Sequence, residues 1–435
     1  MEEKRRYLNI RSILLFIIGS VSCSNILSAF VVGSTPIMIA NVLAIVLLIF
    51  CIMSSHGRFV RILHYLTKDL LYLGIFILLS IIQVLLFNPG NAYQWLVGTI
   101  SLLLQFSIIM SIIESKQEIN ALYWGLFIGV IANFIISVYA MILYNSGVIF
   151  DLAKYFPAES GIGTMYLSNS FRARGLFKEQ GHLMRFLAII AIPLGQFVKE
   201  KNKILFVLYI VMTTFMMAFT GSSSVAYFLV GFFAYIMIIN GKNATKIILA
   251  ILAGMVIVFG FLFFGRNNPT ISKLLAAFQD GFLSIFDVSG ANLGRVKGMK
   301  FAIEIIKNYP IIGCGWNNFT KVFMDNGYYG VDYVMGSYSA ALSLIAEIGL
   351  ASFFYFYFLI NKGLRMLKNR AKISNIGFGI SLLIYFLLFC STDYVIDAGS
   401  AVFIALVLIE YRDLRDKEVA NMVKNQNVNT EVSVQ

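Results

Sequence analysis

The chain has 435 residues, of which 59% are hydrophobic and only 13% charged. That is too few charges to coat a water-soluble particle of this size, so a soluble fold is excluded and a polytopic membrane protein is expected. The formal net charge of +12 would point to nucleic acid in a soluble protein. Here it follows mostly from loop topology, and no nucleic-acid partner is expected.

A helix needs roughly 20 apolar residues to cross a bilayer. Taken in chain order, the apolar runs predict about twelve spans: 12–32, 36–53, 70–87, 96–113, 119–144, 183–198, 204–220, 224–240, 247–265, 338–360, 374–391 and 395–411. The sixth is short, and the twelfth carries Asp397 near its start. The first run is long enough to span and lacks a clear small-residue cleavage site, so no cleavable signal is read. Lys4, Arg5, Arg6 and Arg11 precede or open it. Further basic clusters at Arg58 to Lys68, Lys199 to Lys203, Lys242 to Lys246 and Lys362 to Lys372 all fall on that same side when the count is twelve. By the positive-inside bias both termini are cytoplasmic. The polar tail after residue 412 reads as disordered.

Within this single membrane domain, residues 1–435, two external segments are too long for simple turns: 145–182 and 266–337. Loops of that length are usually functional or disordered; these keep aromatic and aliphatic residues, so folded caps are expected. In the second, 271–286 reads as an interfacial helix. It is followed by ANLGRVKGMKFAIEIIKNYPIIGCGWNNF (291–319). Arg295, Lys297, Lys300, Glu304 and Lys307 recur at helical spacing. Val296, Met299, Phe301, Ile305 and Ile306 fall mostly opposite, which predicts an amphipathic helix. Asn308, Tyr309 and Pro310 should stop it, since proline cannot continue the hydrogen-bond ladder. Gly313 and Gly315 then permit a tight turn, and Asn292 stands where it would cap the helix start.

The first external loop ends in SFRARGLFKEQGHLMRF, which crowds Arg172, Arg174, Lys178, Glu179, His182 and Arg185 into fourteen positions. External basic residues run against the topology bias. Headgroup contact or loop ion pairs such as Arg174 with Glu179 would account for them. A phosphate site would too, because a guanidinium presents a planar fork of donors to phosphate oxygens. Glu347 lies several residues into the tenth span, where a carboxylate must be paired; it reads as a structural anchor. Asp393 and Asp397 read as interfacial or structural. Cys23, Cys51, Cys314 and Cys390 form no metal or disulfide spacing. No Walker loop, HExxH or other metal pattern occurs, so neither metal nor cofactor is expected.

Four segments, in order, resemble the O-antigen polymerase and O-antigen ligase superfamily of bacterial envelope proteins. They are RARGLFKEQG (172–181) with its R-x-x-G-x-F pattern, FTGSSS (219–224), GRVKGMKFAIEIIKNYPIIGCGWNNF (294–319) with its P-x-x-G-x-G turn, and SYSAALSLIAEIGL (337–350) with its E-x-G span. The resemblance implies an all-α polytopic membrane protein with the O-antigen ligase (GT-C-like) fold. It implies a metal-independent glycosyltransferase of the bacterial inner membrane, acting externally on undecaprenyl-pyrophosphate-linked oligosaccharide. A chain-length regulator is an implied partner. Ligases usually carry a histidine nine residues before the matched glutamate. Tyr338 stands there, which favours a polymerase over a ligase, and the basic residue that often follows the TGS turn is replaced by Ser223. A lipid-linked oligosaccharide transporter is the alternative of another class. In the polymerase reading Arg172, Arg174 and Arg295 stabilise the departing pyrophosphate. Lys178, Arg185, Lys297, Lys300 and Tyr338 line the substrate, and Glu179 and His182 are candidates to take the acceptor proton.

Overall fold

In hydrocarbon every backbone N–H and C=O must bond within its own segment, so apolar runs of this length have little choice but to become helices. The computed structural model describes residues 10–32, 35–54, 71–87, 104–112, 115–148, 150, 152–156, 171–222, 224–240, 291–316, 318–319, 322, 339–368, 373–392 and 397–412. Its helices are α1 (Ile10–Ser22), α2 (Ile39–Ser54), α3 (Leu71–Phe87), α4 (104–112), α5 (Lys116–Asn145), α6 (Gln180–Lys201) and α7 (Lys203–Thr220). They continue with α8 (Val225–Asn240), α9 (Ala291–Asn308), α10 (Ala340–Ile348), α11 (Ser352–Lys368), α12 (Ile373–Ser391) and α13 (398–412). Among the described residues five helical stretches are long and apolar enough to cross a membrane: α5, α6, α7, the α10–α11 run and α12. The chain is an all-α membrane protein in architecture.

Two helices form its centre. From Leu183 to Leu194 every residue of α6 is buried, and nearly the whole of α13 is buried with it. A helix that is apolar all round belongs inside. Around them α6 packs on α7, α8 and α12, and α11 packs on α12 and α3. Outward faces stay apolar, as on α2 with Ile45, Ile49 and Ile52 or α3 with Leu78, Ile82 and Leu85. Such faces suit a lipid surround rather than water. Small residues let α1 and α5 approach backbone to backbone. A Cβ at Gly125 would strike Phe16 O, and one at Gly129 would lie 2.5 Å from Cys23 Sγ. Small-residue seams of this kind are how membrane helices pack closely. Arg11 meets Glu118 at 3.5 Å near the start of both helices, so the pair is parallel.

Several expected boundaries move. The predicted span 12–32 stops as a helix at Ser22. Its last residues form an antiparallel hairpin, β1 (Ser28–Val32) with β2 (Thr35–Met38), which leads into α2. Val31 and Val32 fit a pleated strand as well as a span, and hydropathy alone could not tell the two apart. The sixth span, short in the sequence, is a helix of 22 residues. The tenth is broken: α10 ends at Ile348, a single 3-10 turn covers Gly349–Ala351, and α11 resumes at Ser352. The ninth span, the interfacial segment 271–286, Tyr338, Asp393, Ser223, the basic residues of 55–70 and the tail from 413 lie outside the described residues.

Candidate functional site

The first candidate segment folds as a strap, residues 171–182, laid across the end of the bundle where α1 stops and α6 begins. Its backbone is lashed down at almost every step. Ser24 Oγ and Asn25 N both donate to Leu176 O, at 2.8 and 3.2 Å. Leu176 N donates to Asn133 Oδ1 at 2.8 Å, and the same amide's Nδ2 donates to Cys23 O and Gly129 O. Lys178 N donates to Asn25 Oδ1 at 2.7 Å. Ala173 N donates to Phe219 O at 2.7 Å, which ties the strap to the end of α7.

These bonds account for the R-x-x-G-x-F pattern. Gly175 sits at φ +53, and a Cβ there would collide with Asn133 Oδ1. Phe177 is buried and packs on Phe186 with ring centroids 5.6 Å apart. The glycine permits the close pass, the phenylalanine anchors it, and the polar residues between are left at the rim. There Arg172, Lys178, Glu179 and His182 are half-buried. Arg174 donates through Nη2 to Phe150 O at 3.1 Å and lines a small cleft with Ile26, Ala140 and Gly175. Arg185, one turn into α6, is buried and folds back over Gly181, where a Cβ would lie 3.3 Å from its Nη2. Burial alone pulls the Lys178 ammonium below the ordinary lysine value, the mark of a partly desolvated cation. Glu179 occupies the N-cap of α6 without a side-chain capping bond. His182 Nδ1 faces Asn25 Nδ2 at 2.5 Å.

The second candidate segment behaves as its periodicity predicts. Helix α9 exposes Lys300, Glu304 and Lys307 and buries Phe301, Ala302 and Ile305. With Phe319 and Ala346 those residues form a small core of their own. The helix ends at Asn308, just before Tyr309 and Pro310. It starts at Ala291, so Asn292 lies inside the first turn and does not precede it as a cap. The side chains of Arg295 and Lys297 lie outside the described residues, and their distance from the strap belongs to the proposal below.

The P-x-x-G-x-G turn and the E-x-G break explain each other. Where α10 stops, the carbonyls of Ala346 and Glu347 need partners, because an orphaned carbonyl in apolar surroundings is costly. The turn supplies them: Cys314 N donates to Ala346 O at 2.8 Å and Gly315 N to Glu347 O at 2.9 Å. Leu350 N returns a bond to Ile311 O at 3.1 Å. Gln83, from α3, donates through Nε2 to both Ile312 O and Glu347 O. The Glu347 carboxylate accepts from Phe319 N at 3.4 Å, so it holds a loop, as a carboxylate in an apolar helix must find a partner. Gly313 at φ +77 lies so close to Glu347 that no Cβ fits. Burial, then the nearby Glu347, push the Cys314 thiol up to about 12; it stays protonated and is no nucleophile. Asp397 Oδ1 accepts from Ser400 N at 2.8 Å while Asp397 N donates to Ser400 Oγ, a capping box for α13. Among the described residues no three His, Cys, Asp or Glu side chains gather as a metal site needs.

Thus the four motif segments join in two pairs, strap with TGS turn and glycine turn with broken helix. Residues 208–357, from α7 through α9 to the broken helix, match the Wzy_C family model, O-antigen ligase. This segment belongs to the O-antigen polymerase and ligase superfamily. The match does not separate O-antigen polymerases from ligases, and it covers the second pair of motifs and the TGS turn but not the strap. Comparison with curated proteins and with solved structures gave no match. Sequence reasoning missed Asn25, Asn133 and Gln83, whose amides hold the strap and the glycine turn in place. The signal was present, since each is an amide in or beside an apolar run, where polar groups seldom lie without a purpose.

Proposed function

We propose that the protein is a glycosyltransferase joining undecaprenyl-pyrophosphate-linked oligosaccharide repeat units into a polymer on the external face of the bacterial inner membrane. The observation that carries this reading is a cationic strap fixed by main-chain bonds at one end of a helix bundle, in a chain whose residues 208–357 match the O-antigen ligase family model. In the proposed step the acceptor hydroxyl oxygen bonds to the anomeric carbon of the donor. The bond from that carbon to the pyrophosphate oxygen breaks, and its electron pair leaves on the diphosphate. Arg172, Arg174 and Arg295 stabilise that charge. Lys178, Arg185, Lys297 and Lys300 hold the anionic ligand, and Tyr338 contacts the sugar. The hydroxyl proton passes to Glu179 or His182, which stand beside the strap arginines, and then to water. A fixed array of donors that needs no reorganisation is the most effective way to stabilise developing charge.

The ligase reading has one observation in its favour, the description of the matching family. Tyr338 in place of the ligase histidine weighs against it. The test is to give the purified protein a lipid-linked repeat unit as both donor and acceptor. A ladder of longer products is expected. A single transfer to another acceptor would replace the polymerase by a ligase, and movement across a vesicle without bond formation would replace both by a transporter. A chain-length regulator is the proposed partner in the cell, read as a change of ladder length when it is co-reconstituted.

A further inference from the structure

We infer that Asn25 is a positioning residue: it sets the tautomer of His182, so that the neutral ring meets the diphosphate as a hydrogen-bond donor through Nε2. The inference rests on the proposed function for the identity of the diphosphate, but its geometry stands on the strap alone.

The orientation of the Asn25 amide is fixed by chemistry. Its Oδ1 lies 2.7 Å from Lys178 N, and a main-chain N–H can only donate, so the atom facing it must be the oxygen. Its Nδ2 is then the atom 2.5 Å from His182 Nδ1. An amide N–H pointing at a ring nitrogen requires a lone pair there. The neutral imidazole therefore carries its hydrogen on Nε2. Asn25 is itself held in place, because its own N–H and the neighbouring Ser24 hydroxyl both bind Leu176 O. Ser24 Oγ accepts in turn from Ile26 N and Leu27 N. His182 is fixed from the other side in the first turn of α6, with its N–H donating to Glu179 O at 3.1 Å.

The consequence separates two roles left open above. With hydrogen already on Nε2, that nitrogen has no lone pair to take a proton. Protonation at Nδ1 would set N–H against N–H and break the Asn25 contact. His182 thus adds a donor to the oxygens of the leaving diphosphate, beside Lys178 and Arg185, and the acceptor proton goes to the Glu179 carboxylate. The source of this signal is a residue at the end of α1, remote in sequence from every motif of the chain.

The test replaces His56 and His64 so that His182 is the sole histidine, labels it with nitrogen-15 and reads the ring in lipid nanodiscs. The expected spectrum shows a protonated Nε2 and a bare Nδ1. Inorganic pyrophosphate should then move the Nε2–H resonance. Asn25→Asp keeps an oxygen for Lys178 N but presents an acceptor to the ring, so it should put hydrogen on Nδ1. It should slow repeat-unit transfer on the order of a hundredfold, the usual loss when one fixed donor is removed. Asn25→Ala, which removes both contacts, should lose the single tautomer. A parent protein with hydrogen on Nδ1, an unchanged ring in Asn25→Asp, or pyrophosphate binding that leaves Nε2 unmoved would each overturn the inference. If pyrophosphate moves Nε2 while no polymer forms, the Asn25 assignment stands and the polymerase reading falls.

Discussion

Gly313→Ala tests whether the cationic helix α9 is held by the broken membrane helix. At φ +77 an alanine carries a strain of about 1–2 kcal/mol, which Gly147, at φ +79 with nothing within 4 Å of its Cβ, shares. Gly147→Ala is therefore the control for backbone strain alone. At Gly313 the added Cβ would lie 2.6 Å from Ile348 N and closer still to the Glu347 carbonyl. To reach ordinary contact the turn must retreat by about 1 Å, and its neighbours are backbone atoms that cannot rotate away. That retreat takes the 2.8 and 2.9 Å bonds from Cys314 N and Gly315 N out of hydrogen-bonding range. Each orphaned carbonyl costs about 1–3 kcal/mol. Glu347 O keeps the Gln83 amide, so we expect the low end of the sum, about 3 kcal/mol. Hydrogen exchange in nanodiscs should show the Cys314 and Gly315 amides exchanging on the order of a hundredfold faster. Polymer formation should fall with them, while Gly147→Ala leaves both unchanged. Wild-type protection at Cys314 in Gly313→Ala would refute the claim that the turn is docked on the break.

Three further outcomes follow from the same geometry. Arg295→Ala, at normal expression, should shorten or abolish surface polysaccharide through a loss on the order of a hundredfold in rate; unchanged chain length would remove that arginine from the site. In a protein whose sole cysteine is Cys314, maleimide labelling should keep rising with pH through 10, because only the thiolate reacts and the thiol is raised to about 12; a plateau near pH 9 would contradict the burial. Ser339 caps α10 by accepting from Leu342 N and donates to Cys390 O at 2.6 Å, so Ser339→Ala should cost about 1 kcal/mol of thermal stability, and a neutral result would show the cap to be dispensable.

Hydropathy made the helices legible because a span has one solution in lipid, and α9 was legible because its lysines and apolar residues alternate at a helical period. What periodicity cannot report is where a helix gives way to another bonded structure. The hairpin at Ser28–Met38 pairs one short strand with the next, and the break at Gly349 is satisfied by partners distant in sequence, Ile311 to Gly315 and Gln83. The strap tells the same story. Arg172 to Arg185 could be picked out by charge against the topology bias, but their placement depends on Asn25 and Asn133, whose single amides count as noise in a hydrophobic average. Arg174 shows the limit of composition most plainly: its guanidinium binds the Phe150 carbonyl, a contact no spacing rule encodes.

The two motif pairs are linked through the bundle, and the link has a direction. Ala340 N donates to Thr392 O at 2.6 Å and Ser339 Oγ to Cys390 O, so the start of α10 hangs from the end of α12. Helix α12 packs along α6, whose first turn is the end of the strap. Gly399, at the start of α13, fits between Phe186 of α6 and Ser22 O of α1. The same Phe186 anchors Phe177 of the strap. Rigid contacts of this kind fix the relative height of α10 and the strap. A site built from residues so far apart in sequence needs such a frame, because stabilising a transient charge rewards donors that are already in place before the charge appears.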